Sequence, residues 1–323
     1  MKTGSLYSII DSAFVVSGEM KKGNGEDSYA YAINEKIGFI SVFDGCGGIG
    51  SRQYEELGNK TGAYIASRVI ADTVLKTFNE FCLSQSTLNS RSFDDFCKNM
   101  KINSVTELSE INNKTRKTTL KGSLSKDFPT TMSAIFFDVG NNSGLNLYYV
   151  WAGDSRGYLL QPFGLMQITN DDVFGNEDSF SNLSNDGNLS NFMCADGSFH
   201  YNKRILECPK RSILISATDG CFGYFSTPME FEFMLLDTLI VSSSINEWKE
   251  KISNFISQYT GDDYTLCVAV SGFGSYKQLR HQFKRRHSQL YKKYISKIHD
   301  SSKDSLLEMW KDYKKVYYRR YMK

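Results

Sequence analysis

Four times along this chain an apolar, β-favouring run meets an aspartate flanked by glycine or a small polar residue: Asp44-Gly45, Gly153-Asp154-Ser155-Arg156, Thr218-Asp219-Gly220 and Gly261-Asp262-Asp263. The most constrained copy is GFISVFDGCGGIG, residues 38–50, where Phe39, Ile40, Val42 and Phe43 read as a buried strand that stops on Asp44. The glycines beyond it permit a sharp turn and leave backbone atoms open to a ligand. Taken singly, each Asp-Gly pair is an ordinary turn. Together with Glu26 and Asp27, which precede the alternating segment SYAYAI, they set a group of carboxylates at strand ends. Such a group cannot all stay ionised in apolar surroundings without compensating cations. Paired divalent ions supply that compensation, activate a water and clamp a phosphoryl oxygen.

The kind of cation follows from what the chain lacks. It has only four histidines, three of them (His281, His287, His299) near the C-terminal end, and seven cysteines with no C-x-x-C pair. An odd cysteine count without paired spacing argues against a disulfide framework and a zinc site, and for a reducing cytosol. A metal site in the body would be built from carboxylates, which favours Mg2+ or Mn2+. The N-terminal MKTGSLYSIIDSAF is interrupted by Asp11 and lacks a signal-peptide core, and no apolar run reaches the length of about 18 residues that would span a membrane. The expected location is cytoplasmic.

The net charge of +2 hides a split. Residues 274–323 hold 15 Lys and Arg against 4 Asp and Glu, a net +11, whereas the rest carries 23 against 32, a net −9. This places a boundary near Gly272–Gly274, giving a body over 1–272 and a basic, Tyr-rich helical tail over 273–323. In the tail Tyr276, Leu279, Phe283, His287, Leu290, Tyr294 and Ile298 form one stripe at helical spacing. DSSKD at 300–304 breaks it, and Ser301 with Asp304 reads as the cap of a second helix through Trp310 and Tyr313. The tail is expected to dock a protein partner or an anionic surface, or to pack on the acidic body; nucleic acid is the less favoured partner, because the stripe itself accounts for the aromatics. Its deletion is expected to leave hydrolysis of a small phosphoester nearly unchanged.

Within the body, strands are expected over 5–18, 28–33, 38–43, 131–139, 145–152, 157–160 with 166–169, 212–217 and 264–271. NNSG at 141–144 reads as a hairpin turn. Helical spacing covers 52–82, 92–119 (capped by Ser92 with Asp95), 227–241 and 244–258. The Asn-, Ser-, Asp- and Gly-rich stretch 170–203 is too long for an ordinary connection and reads as a flap or insertion.

In motif and order the chain resembles the metal-dependent type 2C serine/threonine protein phosphatases. The resemblance is carried by GEDS at 25–28, FDGCGG at 43–48, PTTMSA at 129–134, WAGDSRGYLL at 151–160, ISATDGCFGYF at 215–225 and DDYTLCVAV at 262–270. It covers about residues 5–272 and leaves the tail out. It implies an α+β fold, a sandwich of two antiparallel sheets flanked by helices, with two Mn2+ or Mg2+ ions at one edge. Carried across, Asp44 would bridge both ions, the Gly45 carbonyl would bind one, and Asp219 and Asp262 would complete the other. Glu26 and Asp27 would order water, and Asp154 with Asp219 would hold a third, weaker ion. The implied activity is hydrolysis of phosphoserine and phosphothreonine in proteins by a metal-activated water, with a phosphoprotein substrate and a cognate Ser/Thr kinase as partners in dephosphorylation signalling.

The chain departs from the family pattern in a few places. Lys22 stands where an arginine commonly grips the substrate phosphate, and a lysine supplies charge without a bidentate fork. Cys46 replaces a common histidine, Pro129 a glycine, and Asp171-Asp172 lacks a histidine usual after GDSR. Lys22 and Cys46 motivate an alternative, a phosphatase-like domain that binds phosphoprotein without turnover. Another alternative for Asp154-Ser155-Arg156 is a structural turn with an internal ion pair. A third reading takes Gly45-x-Gly47-x-x-Gly50 as the phosphate loop of a dinucleotide-binding oxidoreductase. It is opposed by Asp44, which would sit against the pyrophosphate, and by the lack of an acidic residue closing a following strand.

Overall fold

The computed structural model describes residues 5–85, 87–115, 126–140, 144–175, 178–184, 188–299 and 301–319. Two five-stranded antiparallel sheets form its centre. The first is ordered β1 (Ile10–Gly18), β12 (Tyr264–Ser271), β11 (Ser212–Ala217), β8 (Arg156–Gln161), β9 (Gly164–Gln167). The second is ordered β10 (Asn202–Cys208), β7 (Leu145–Ala152), β6 (Met132–Val139), β3 (Ile37–Phe43), β2 (Ser28–Ile33). Both sheets are covered on both faces, so their central strands are apolar throughout rather than alternating. In β12, Cys267 and Ala269 face the other sheet while Leu266, Val268 and Val270 face helices. In β3, Ile40 and Val42 point inward, and Phe39 and Phe43 outward.

Helices close the outer faces. Against the second sheet lie α1 (Gly62–Ser84) and α2 (Ser90–Lys114), through Ile70, Val74, Phe78, Phe93, Phe96 and Met100. The helical reading of 52–82 is corrected at its start. A short pair β4 (Gln53–Tyr54) and β5 (Lys60–Thr61) precedes α1, Gly58 takes a left-handed conformation, and the Thr61 side chain caps the helix. The start of α2 is also corrected. Asn89 is the N-cap, with Ser92 as its reciprocal partner three residues on, because Asn89 Oδ1 accepts from the Ser92 amide at 3.0 Å. Residues 116–119 of that predicted helix and 141–143 of the predicted hairpin turn lie outside the described residues.

Against the first sheet lie α4 (Pro228–Val241), α5 (Ile245–Tyr259) and the tail. The stripe of the tail forms α6 (Tyr276–Leu290), a π-turn over Tyr291–Ile295 and α7 (Ser296–Ile298). The last helix is α8 (Lys303–Tyr317), capped by Ser302 rather than Ser301, since Ser302 Oγ accepts from the Ser305 amide at 3.3 Å. Leu279, Phe283, Leu290, Tyr294, Trp310, Tyr313 and Tyr317 are buried in the same cluster as Leu235, Leu239 and Trp248 of the body. Polar anchors accompany them. Arg286 meets Glu232 through two bonds of 2.7 Å, Tyr313 Oη donates to the same carboxylate at 2.7 Å, and His287 lies 2.8 Å from Asp237. The charge split thus corresponds in part to basic helices seated on an acidic body, and removing 275–323 would uncover α4 and the β9 edge of the first sheet. The expectation that deletion is harmless does not fit this packing.

Two further corrections concern 170–208. Part of the stretch is tied down: α3 (Ser179–Ser184) is helical, Met193 bridges to Thr130, and Asp172 accepts from Asn191 and Asn202 side chains. The edge strand β10 was not expected. It pairs with β7 along its length, and its burial alternates with Lys203 and Glu207 turned outward.

Candidate functional site

Antiparallel register brings the acidic motifs to one end of the sandwich. Ser28 pairs with Phe43, Met132 with Ala152, Ala217 with Leu266, and Gly18 with Tyr264. Glu26 and Asp27 therefore enter β2 where Asp44 leaves β3, Asp154 leaves β7 just beyond Ala152, and Asp219 leaves β11 beside Asp262 and Asp263 at the start of β12. Two backbone contacts hold the Asp44 turn: its carbonyl accepts from the Thr131 amide at 2.7 Å and the Thr130 hydroxyl at 2.8 Å. The Gly45 amide donates to the Glu26 carbonyl at 3.2 Å, tying the two acidic loops together. Gly45 has no room for a side chain, because a Cβ would lie 2.5 Å from the Ala63 carbonyl oxygen. Gly220 is tighter still, with the Asp263 carbonyl oxygen 1.9 Å from where a Cβ would stand. That contact seats Asp219 against the Asp262 turn.

The acidic side chains are held by threonine hydroxyls and backbone amides. Asp27 accepts from the Thr218 hydroxyl at 2.8 Å, and Glu26 from the Thr61 hydroxyl. Asp263 accepts from the amides of Met20 and Glu26, both at 2.7 Å, so it serves the loop, while Asp262 is exposed towards the cleft. Asp154 differs: its Oδ1 is buried and has no hydrogen-bond partner. Loss of water, then Asp219 and Asp27, raise Asp44 well above the usual carboxylate range. Burial, the same Asp219 and Asp171 raise Asp154 to about 8. Desolvation and Asp219 raise Asp262 to about 6, and Asp27 rises through burial against its Thr218 bond. These five carboxylates feel one another, yet among the described residues no three His, Cys, Asp or Glu side chains close on a common point at chelating distance.

Beside the cluster opens a cleft of about 470 Å³ lined by Glu26, Asp262, Lys21, Lys60 and Tyr64 among others. Lys60 lies over the Tyr64 ring and bonds the Gly23 carbonyl and Asn24. Lys22 is exposed and is not part of this lining. Sequence reasoning singled out Lys22 by alignment of a motif; Lys21 and Lys60 carry no motif, and only the loop's path reveals them. Cys46 sits at the first turn, its thiol pushed well above the ordinary value by burial and by Asp44, Asp154 and Asp219.

Two alternatives are corrected. Arg156 does not pair with Asp154 but grips Asp171 in a fork, Nε at 2.9 Å and a terminal nitrogen at 2.6 Å, both side chains 2% exposed. The dinucleotide reading fails because β3 is antiparallel to both its neighbours, so no parallel β-α-β unit carries the glycines, and Glu26 Oε2 crowds Gly47.

No protein-family model matches the sequence, and no curated protein does. Solved structures do match in fold. The serine/threonine phosphatase Stp1 from Staphylococcus aureus is 15% identical, with a TM-score of 0.61 over 84% of this chain and 97% of its own. The Mycobacterium tuberculosis serine/threonine phosphatase PstP/Ppp is 18% identical, with a TM-score of 0.54 over 81% and 98%. The catalytic domain of PstP in complex with two manganese ions is 18% identical, with a TM-score of 0.52. The architecture is therefore the two-sheet fold of the PPM serine/threonine phosphatases.

Proposed function

We propose that the chain is a Mn2+- or Mg2+-dependent phosphatase acting on phosphoserine and phosphothreonine in proteins. One observation carries the reading: carboxylates from five separate strand ends meet at one edge, and among them Asp154 keeps a buried oxygen with no partner. A donor set made only of oxygens suits Mg2+ and Mn2+, which take few carboxylates and keep several waters. That preference fits a cluster too open to chelate by side chains alone. Asp44 and the Gly45 carbonyl would hold the ions together with Asp219 and Asp262, and Asp154 would hold a third. When bound, such ions supply Lewis acidity and a water acidic enough to attack phosphorus at neutral pH.

The chain's own groups do the rest. Thr218 and Thr61 fix Asp27 and Glu26 so that their free lone pairs orient water at the edge of the cleft. Lys21 and Lys60 give the cleft wall positive charge for a dianionic phosphate, without the bidentate fork of an arginine. Cys46 is given no role as a nucleophile in this reading, in which water attacks phosphorus directly. That lysine-only wall favours one second reading, a domain that binds phosphoprotein and turns over slowly.

The test is hydrolysis of para-nitrophenyl phosphate and of a phosphothreonine peptide with Mn2+ or with chelator, comparing wild type with Asp44→Asn. Metal-dependent release of phosphate that disappears in the variant is the expected result. A folded, Mn2+-binding wild type without turnover would move the assignment to the binding domain.

A further inference from the structure

A continuous set of hydrogen bonds joins the tail to Arg156, two residues from the acidic edge. Beyond α8, Tyr318 Oη accepts from the Ser179 amide at 2.8 Å and donates to Ser179 Oγ at 2.9 Å. Ser179 Oγ donates to Gln167 Oε1 at 2.7 Å, and Gln167 Nε2 donates to Asp171 at 3.0 Å. Arg156 donates to Asp171 through both arms and to the Ser179 carbonyl at 3.3 Å. Two residues before Arg156 stands Asp154. Side-chain packing runs parallel to this chain of bonds. Tyr317 meets Tyr158 at 6.3 Å between ring centres, and Trp310 Nε1 donates to Asp178, next to Ser179, at 3.1 Å. The anchor of the Asp154 turn is thus buried and is made in part by residues 310–318.

We infer that the C-terminal hairpin positions Asp154. The backbone of Arg156 is held in β8, and its side chain is directed by Asp171 and the Ser179 carbonyl. Asp171 is in turn held by Asn182 of α3 and by Gln167, which bonds Ser179 and through it Tyr318. The turn is also held by the Ser155 and Thr131 hydroxyls at 2.7 Å and by the Gly153 amide on Asp172 at 3.0 Å. Because Asp154 Oδ1 has no protein partner, its direction is set by these backbone anchors, the one at Arg156 among them. Tyr318 and Ser179 are positioning residues; neither touches the proposed reaction centre. The inference rests on the metal-dependent reading above and adds to it a source of control outside the two-sheet core.

The experiment is calorimetric titration of the full chain with Mn2+, for wild type, Asp154→Asn, Tyr318→Phe and the double variant. Expected results are loss of the weakest binding step in Asp154→Asn and a roughly three- to tenfold weakening of that step alone in Tyr318→Phe. This is smaller than the 10- to 100-fold typical when a direct neighbour of a ligand is removed. In the Asp154→Asn background, Tyr318→Phe should change nothing further. Wild-type affinity in Tyr318→Phe, or an equal loss with and without Asp154, overturns the inference and leaves the phosphatase reading standing. A wild type that binds no Mn2+ overturns both. Ser179→Ala removes the Oγ bonds to Tyr318 and Gln167 while keeping the Tyr318 ring and the backbone amide bond to its hydroxyl, so it breaks the path at Gln167 and decides the matter should Tyr318→Phe fail to fold.

Discussion

Replacing Glu232 with alanine should undock the tail. Glu232 is fully buried on α4 and accepts three bonds of 2.7 Å, two from Arg286 and one from Tyr313. Its loss leaves an arginine side chain that is only 11% exposed without a counter-charge. Breaking one side of a buried pair costs about 3–5 kcal/mol, and the orphaned Tyr313 hydroxyl adds about 1 kcal/mol. For a chain of this size that corresponds to a fall in melting temperature of roughly 6–12 °C. Circular dichroism melts and urea titrations of Glu232→Ala, Arg286→Met and a Glu232→Met/Arg286→Met double variant form the assay. The double variant should be more stable than either single one, because two apolar side chains of similar volume leave no buried charge. A loss below about 1 kcal/mol in Glu232→Ala would refute the reasoning, since a docked hairpin cannot lose this contact so cheaply.

The remaining predictions are narrower. Cys46→Ser should keep metal-dependent turnover, and thiol alkylation that abolishes turnover only when Cys46 is present would contradict direct transfer to water. Asp138, buried on β6 and bonded by Asn146 and the Leu88 amide, is raised by burial to about 6. The folded state therefore takes up this proton before the unfolded state does, so stability falls by roughly 1–3 kcal/mol as pH rises from about 4 to 6. Asp138→Asn should flatten that slope in urea midpoints measured at pH 4.5 and 7, and identical slopes would count against it.

Strands buried on both faces were readable because they are apolar without interruption, as β3 and β12 are. The acidic edge was readable for a different reason: each carboxylate follows or precedes such a strand, so strand ends alone bring them near. The edge strand β10 was not readable, because solvent on one side admits Lys203 and Glu207, and a polar alternation looks like loop. Residues 53–61 read as helix since Tyr54 and Leu57 keep helical spacing, whereas Gly58 turns the chain with a positive φ of 76°. Lys21 rather than Lys22 lines the cleft, a choice made by the direction of one loop. In the tail the apolar stripe was plain, but Arg286 was one cation among many, and its burial depends on Glu232 far away in sequence. The partner of Arg156 was hidden likewise, since the β8–β9 hairpin and the turn after it return Asp171 to its side.

The pairing of β1 with β12 has a consequence for how the chain comes to be folded. Ile10 pairs with Ser271 and Gly18 with Tyr264, so β1 finds its partner only about 250 residues later. Translation at about 5–20 residues per second leaves β1 waiting for roughly 12–50 s. The second sheet can mature early, because all of its strands precede residue 209. Completion of the first sheet waits for β12, and the aromatic covering from the tail helices comes after it. During that interval β1 and β11 each present an unpaired edge where β12 will lie, and unpaired strand edges of this kind are prone to aggregate.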